Sequence, residues 1–277
     1  MELRDRLRRL RHVALDLDGT LYADGVPFDC TLSFLDRLRA LGIGRSFVTN
    51  NDARSTQDYV ALLREIEIDA DAADVHSPVH GILAWLREAR PEAHRLYVLG
   101  TPELAGELMA HGYALAGEDT GDPPDAVIVG FDTGLTFERL CRAAHWIAAG
   151  RAFIATHPDR VCQTARPTVL LDCGAVCAAL RAATGRGPDV VLGKPHPLFA
   201  RTVMERHGVA AAELAVVGDR LYTDVAMART AGALAVLVLS GETTAAEAAA
   251  ALDGPDLIVQ DVGELGEILV AARSAER

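Results

Sequence analysis

The chain has 277 residues and half of them are apolar, enough to bury a sizeable core as one large domain or two smaller ones. Its 27 Lys and Arg face 39 Asp and Glu, a formal net charge of −12. That balance argues against nucleic acid or an anionic membrane as a partner, because either would need a basic surface, while a small anionic ligand needs only a local cationic site.

At the N-terminus, Arg4, Arg6, Arg8, Arg9 and Arg11 raise the question of a targeting peptide, but Glu2 and Asp5 interrupt the run and no apolar stretch follows. Leu3, Leu7 and Leu10 have helical spacing, which predicts a short amphipathic helix with a solvated basic face. No apolar run approaches the length of a membrane span, so a cytoplasmic protein is expected. The cysteines (Cys30, Cys141, Cys162, Cys173, Cys177) are odd in number and form no CxxC, which reads as structural thiols in a reducing compartment. Cys173 and Cys177 read as one face of a helix.

Further along, short apolar runs alternate with helical patterns. Strands are predicted at 12–17, 44–49, 95–99, 126–130, 152–155, 168–171, 189–193, 214–217, 234–239 and 257–260. Helices are predicted near 31–41, 55–66, 78–89, 103–111, 136–149, 174–184, 197–207, 223–231, 243–252 and 262–272. Such alternation implies parallel sheets with helices on their faces. Ten strands are many for one twisted sheet, which favours two. With joints at Ser77-Pro78 and Gly185-Arg186-Gly187-Pro188, the expected fold class is α/β. Residues 1–79 and 188–277 would form a discontinuous Rossmann-like parallel-sheet core, and 80–187 an inserted α/β domain.

The chemistry concentrates where predicted strands end. Val13-Ala14-Leu15 runs into Asp16-Leu17-Asp18-Gly19-Thr20-Leu21, so two carboxylates two residues apart leave the carboxyl edge of a sheet, where ligands bind in open α/β folds. Such a pair repels unless a cation or a proton neutralises it. Three more clusters follow apolar runs in the outer segments: Thr49-Asn50-Asn51, Gly193-Lys194-Pro195, and Gly218-Asp219-Arg220 with Asp224. Strands of a parallel sheet end on one edge, so all four can meet in one crevice. Each alone is weak; together they point to metal-assisted chemistry on an anion.

In this order the four clusters resemble the signature motifs of the haloacid dehalogenase-like hydrolases. The likeness is to the subclass with a large α/β cap between the second and third motifs, which includes nitrophenylphosphatase, phosphoglycolate and pyridoxal phosphate phosphatase types. It extends to Ala155-Thr156-His157-Pro158-Asp159, Thr223-Asp224-Val225-Ala226 and Val236-Leu237-Val238-Leu239-Ser240-Gly241. The resemblance implies an Mg2+-dependent phosphatase of a small phosphorylated metabolite, homodimeric through the cap. Asp16 would be the nucleophile that becomes an aspartyl-phosphate, and Asp18 the general acid/base and, through its backbone carbonyl, a metal ligand. Asp16 and Asp219 would hold the metal with Asp224 in an outer shell, and Gly19, Thr49, Asn50 and Lys194 would bind phosphate. A non-catalytic phosphometabolite sensor and a phosphotransferase remain alternatives; an aspartyl-phosphate receiver domain is much shorter and has no inserted domain.

Three positions depart from that pattern. Asp52-Ala53-Arg54-Ser55 stands where relatives usually continue with small hydroxyl residues, His157 where they often carry Asn, and Asp172 where a Pro precedes the turn. Asp52 is expected to cap the next helix, and Arg54, His157 and Asp159 are candidate specificity residues. His196 reads as a helix start, Tyr222 as loop packing, and Trp85 and Trp146 as core. The substrate stays open among sugar and triose phosphates, phosphoglycolate, nucleotides and pyridoxal phosphate.

Overall fold

The computed structural model describes residues 2–117, 119–162 and 169–274. Position 168, the start of one predicted strand, lies outside them. The chain divides into two compact units, Met1–Thr49 with Val60–His76 and Lys194–Arg277, and Asn50–Tyr59 with Ser77–Gly193. Residues 50–59, 77–79 and 188–193, expected with the outer segments, cluster with the second unit.

In the first unit six parallel strands run in the order Leu257–Val259, Leu234–Val238, Leu214–Gly218, His12–Leu15, Gly44–Val48, Val75–His76. The three strands His12–Leu15, Leu214–Gly218 and Leu234–Val238 are buried along their whole length. That suits a parallel sheet covered by helices on both faces and explains their unbroken apolar runs. The helix Pro197–His207 shows how such cover is specified. Pro197 opens it, His196 accepts the Leu198 N–H at 3.2 Å, and Gly208 closes it in the left-handed region. Its buried Phe199, Ala200 and Val203 join Ala14 and Val216 of the sheet in one core cluster, where Phe199→Ala would cost about 3–5 kcal/mol.

The N-terminal helix Leu3–Arg9 does not carry a purely solvated basic face. Arg6 pairs with Asp256 at 2.6 Å and donates to the Ala233 carbonyl, and Arg8 donates to the Ala272 carbonyl at 2.9 Å. These arginines tie the helix down.

In the second unit five parallel strands run in the order Val190–Val191, Ala152–Ala155, Ala126–Val129, Arg95–Leu99, Ala114–Leu115. Val127, Val129 and Phe153 pack with Trp146, Cys173 and Cys177 of the adjoining helices. The Cys173 and Cys177 sulfurs lie 3.9 Å apart on one helix face, and none of the five cysteines forms a disulfide among the described residues. Tyr222, expected to pack within its loop, is instead 53% exposed. Among the described residues no helix is long and apolar enough to cross a membrane.

Candidate active site

The carboxyl ends of two neighbouring central strands build the acidic centre of the first unit. His12–Leu15 delivers Asp16 directly, and the Asp16 N–H donates to the Val217 carbonyl across the sheet at 2.9 Å. Leu214–Gly218 delivers Asp219, and Asp224 returns from the helical turn Leu221–Val225. All three acids are buried, and one ligand atom from each lies within 4.8 Å of the others. Lys194 is buried among them, bonded to Asp16 and, at 2.7 Å, to Asp224.

Two glycines make this crowding possible. Gly19 has φ +81°, and a Cβ there would stand 2.6 Å from Asp219 Oδ2. At Gly218 a Cβ would stand 2.1 Å from Asp224 Cγ. A side chain at either place would occupy the volume the carboxylates need.

Hydrogen bonds orient the acids. Asp219 Oδ2 accepts the Glu242 N–H at 2.6 Å, whereas its Oδ1 is buried with no hydrogen-bond partner. Asp224 Oδ2 accepts from the Arg220 N–H at 3.2 Å and from the Thr223 hydroxyl at 3.3 Å. The Thr20 hydroxyl reaches Asp16 Oδ2 at 3.4 Å. Burial pushes the Asp16 carboxyl well above the ordinary carboxylate range, with Lys194 opposing and Asp224 and Asp219 adding to the rise. Burial and then Asp224 raise Asp219 as well. Burial alone would lower Lys194, but Asp16 and Asp224 hold it above its usual value.

Three carboxylates and one ammonium sum to two negative charges, which a divalent cation would neutralise. The all-oxygen donor set suits a hard cation such as Mg2+, and the orphaned Asp219 Oδ1 is the atom such an ion would satisfy. Asp224, expected in an outer shell, stands in the same cluster as Asp16 and Asp219. The Asp18 side chain does not belong to that cluster. It is exposed, and its backbone pairs with Tyr22 in an isolated bridge. Thr49 is buried at the end of Gly44–Val48, its N–H bonded to the His76 carbonyl at 3.1 Å.

The remaining predicted site residues belong to the second unit. Asn50 Nδ2 donates to Asp159 Oδ2 at 3.2 Å, and Arg54 is exposed. His157 and Asp159 are buried just beyond Ala152–Ala155. Asp52 is not a helix cap. Ser55 serves that end of the helix Thr56–Glu65 by accepting the Asp58 N–H at 3.2 Å. Asp52 is buried instead, accepting the Phe131 N–H at 3.2 Å.

Comparison with known proteins identifies the family. A haloacid dehalogenase-like hydrolase model matches residues 13–114, and a HAD-hydrolase-like model matches residues 191–265. The 4-nitrophenylphosphatase of Thermotoga maritima is 37% identical with a TM-score of 0.88, over 95% of this chain and 98% of that one. Ribonucleotide monophosphatase NagD of Escherichia coli is 30% identical over 94% of this chain and 99% of its own length. Glycerol phosphate phosphatase of Mycobacterium tuberculosis, whose structure is a complex with magnesium, is 32% identical with a TM-score of 0.86, over 95% of this chain and 77% of that one. The chain belongs to the haloacid dehalogenase-like hydrolases, in the subclass with a large inserted α/β domain.

Proposed function

We propose that this protein is an Mg2+-dependent phosphatase that hydrolyses the phosphate monoester of a small metabolite through an aspartyl-phosphate on Asp16. The observation that carries this reading is the buried group of Asp16, Asp219, Asp224 and Lys194, with the exposed Asp18 two residues beyond Asp16. Ribonucleotide monophosphatase and glycerol phosphate phosphatase, both similar over nearly the whole chain, support the substrate class.

A phosphate monoester is a dianion, so an attacking carboxylate meets like-charge repulsion. Asp16, Asp219 and Asp224, with the Asp18 carbonyl, would hold Mg2+, which when bound supplies the positive charge that offsets this repulsion. Lys194, fixed by Asp16 and Asp224, places a second cation beside the nucleophile. The Thr49 hydroxyl offers a donor to a phosphate oxygen.

In the first displacement an Asp16 oxygen bonds to phosphorus as the bond to the leaving oxygen breaks, and Asp18 gives that oxygen its proton. In the second, Asp18 as carboxylate takes a proton from water, whose oxygen attacks phosphorus and releases inorganic phosphate and free Asp16. Asp18 suits this exchange because, unlike Asp16, it reaches solvent.

The test is turnover of an aryl phosphate with Mg2+, with EDTA, and by Asp16→Asn. Turnover is expected only in the first case. Undiminished hydrolysis in EDTA or by Asp16→Asn overturns the mechanism, and phosphate-ester binding without turnover would mark a sensor.

A further inference from the structure

Three strands of the first unit, His12–Leu15, Leu214–Gly218 and Leu234–Val238, lie side by side and end on one edge. The first two deliver Asp16 and Asp219. The third runs out into Ser240-Gly241-Glu242-Thr243, and that loop returns to the acidic centre.

The loop holds Asp219. The Glu242 N–H donates to Asp219 Oδ2 at 2.6 Å, and the Thr243 N–H donates to the Asp219 carbonyl at 3.2 Å. Gly241 passes so close that a Cβ there would stand 2.1 Å from Asp219 Oδ2. Oδ2 is thereby engaged, and Oδ1, buried with no hydrogen-bond partner, is left for a cation.

Ser240 carries the same loop to the other side of the centre. Its hydroxyl donates to the Gly19 carbonyl at 2.7 Å, a contact between residues 221 positions apart. The Gly19 N–H donates to the Tyr22 carbonyl at 2.8 Å. Gly19 is therefore bonded through both of its peptide planes. Its N–H shares one plane with the Asp18 carbonyl, and its own carbonyl lies in the next. A glycine at φ +81° has no Cβ to resist rotation, so these bonds fix the two planes. The loops also abut: a Cβ at Gly19 would stand 3.1 Å from the Gly241 Cα.

Helix capping does not account for Ser240. The next helix, Ala245–Ala250, has its own cap in Thr244, whose hydroxyl accepts the Glu247 N–H at 3.3 Å while Glu247 Oε2 accepts the Thr244 N–H at 2.9 Å. The Ser240 hydroxyl acts across the sheet edge instead.

We propose that Ser240 is a positioning residue for the metal: by tying the Gly19 carbonyl to the loop that holds Asp219, it fixes the spacing of the Asp18 carbonyl and the Asp219 carboxylate and so sets how tightly Mg2+ binds. This rests on the phosphatase reading for those two ligands. Without the hydroxyl, the Asp18–Gly19 peptide and Asp219 move independently, and binding the ion must first bring them to one geometry.

The experiment titrates wild type and Ser240→Ala with Mg2+ alone by calorimetry, then measures aryl phosphate turnover against Mg2+ concentration. Ser240→Ala should weaken Mg2+ binding about tenfold, with a much smaller change in kcat once Mg2+ saturates. A merely structural role would lower the melting temperature in EDTA and leave the Mg2+ affinity unmoved. An affinity in Ser240→Ala within about twofold of wild type overturns the proposal. Amide hydrogen exchange on the wild type needs no variant to fold. The Gly19 and Glu242 N–H groups should gain protection together as Mg2+ is added, and protection at one without the other overturns the proposal. A wild type that binds Mg2+ yet turns over no phosphate ester sinks the phosphatase reading alone, and the calorimetry still decides the role of Ser240.

Discussion

Asp16 and Asp18 are the same amino acid two residues apart, and their surroundings separate them. Asp16 is buried against Lys194, Asp219 and Asp224, whereas Asp18 is exposed. One is placed to attack, the other to exchange protons with solvent and a leaving group. Lys194 ties Asp16 to Asp224, so Lys194→Gln leaves three crowded carboxylates with no resident cation. A loss of about 10²–10³-fold in kcat/KM is expected, measured on an aryl phosphate at saturating Mg2+. Activity within a few-fold of wild type would remove Lys194 from the site. Most of these residues were legible in the sequence because each acid or lysine follows an apolar run that must end at a sheet edge. The partner of Asp52 was not. A carboxylate shortly before a helix reads as a cap, and only the folded second unit brings Phe131 and His157 to it.

At the scale of elements, unbroken apolar runs marked the long strands and amphipathic spacing the helices. His196 does open its helix, as the side-chain acceptor for Leu198; Asp172 does the same for Cys173, which was not foreseen. Five two-residue pieces, Tyr22–Ala23, Val26–Pro27, Val75–His76, Ala114–Leu115 and Val161–Cys162, were not foreseen. Two residues carry no periodicity, and pairing with a neighbour is all that makes them strands. One element with little tolerance is the turn after Leu214–Gly218. Gly218→Ala puts a methyl group into the Asp224 carboxyl, which should destabilise the protein by about 1–3 kcal/mol and lower activity together. Thermal melts and turnover measured side by side check this. A variant as stable and active as wild type would mean that Asp224 does not need its observed position.

For the whole molecule, acid stability is predicted by a histidine pair in the first unit. His12 and the Ser46 hydroxyl lie 2.8 Å apart, and so do Ser46 and His207; the two rings stack at 4.2 Å. Burial, then His207, then Arg45, lower His12 from 6.5 to about 3. Between those values the unfolded chain binds a proton that the folded chain refuses. The stabilisation is thus complete above pH 6.5 and is lost as pH falls below it. At pH 4.5 the loss is about 2–3 kcal/mol, which His12→Gln should remove from the pH dependence of unfolding in urea. An equally steep dependence in the variant would contradict this. The central claim is that Asp16 carries the phosphoryl group. The direct measurement is acyl-phosphate trapping: Asp18→Asn, mixed with aryl phosphate and Mg2+, is quenched, reduced with borohydride and peptide-mapped. The account predicts a reduced, formerly phosphorylated residue at Asp16 and none in Asp16→Asn. Turnover with the phosphoryl group on another side chain, or on none, would contradict it.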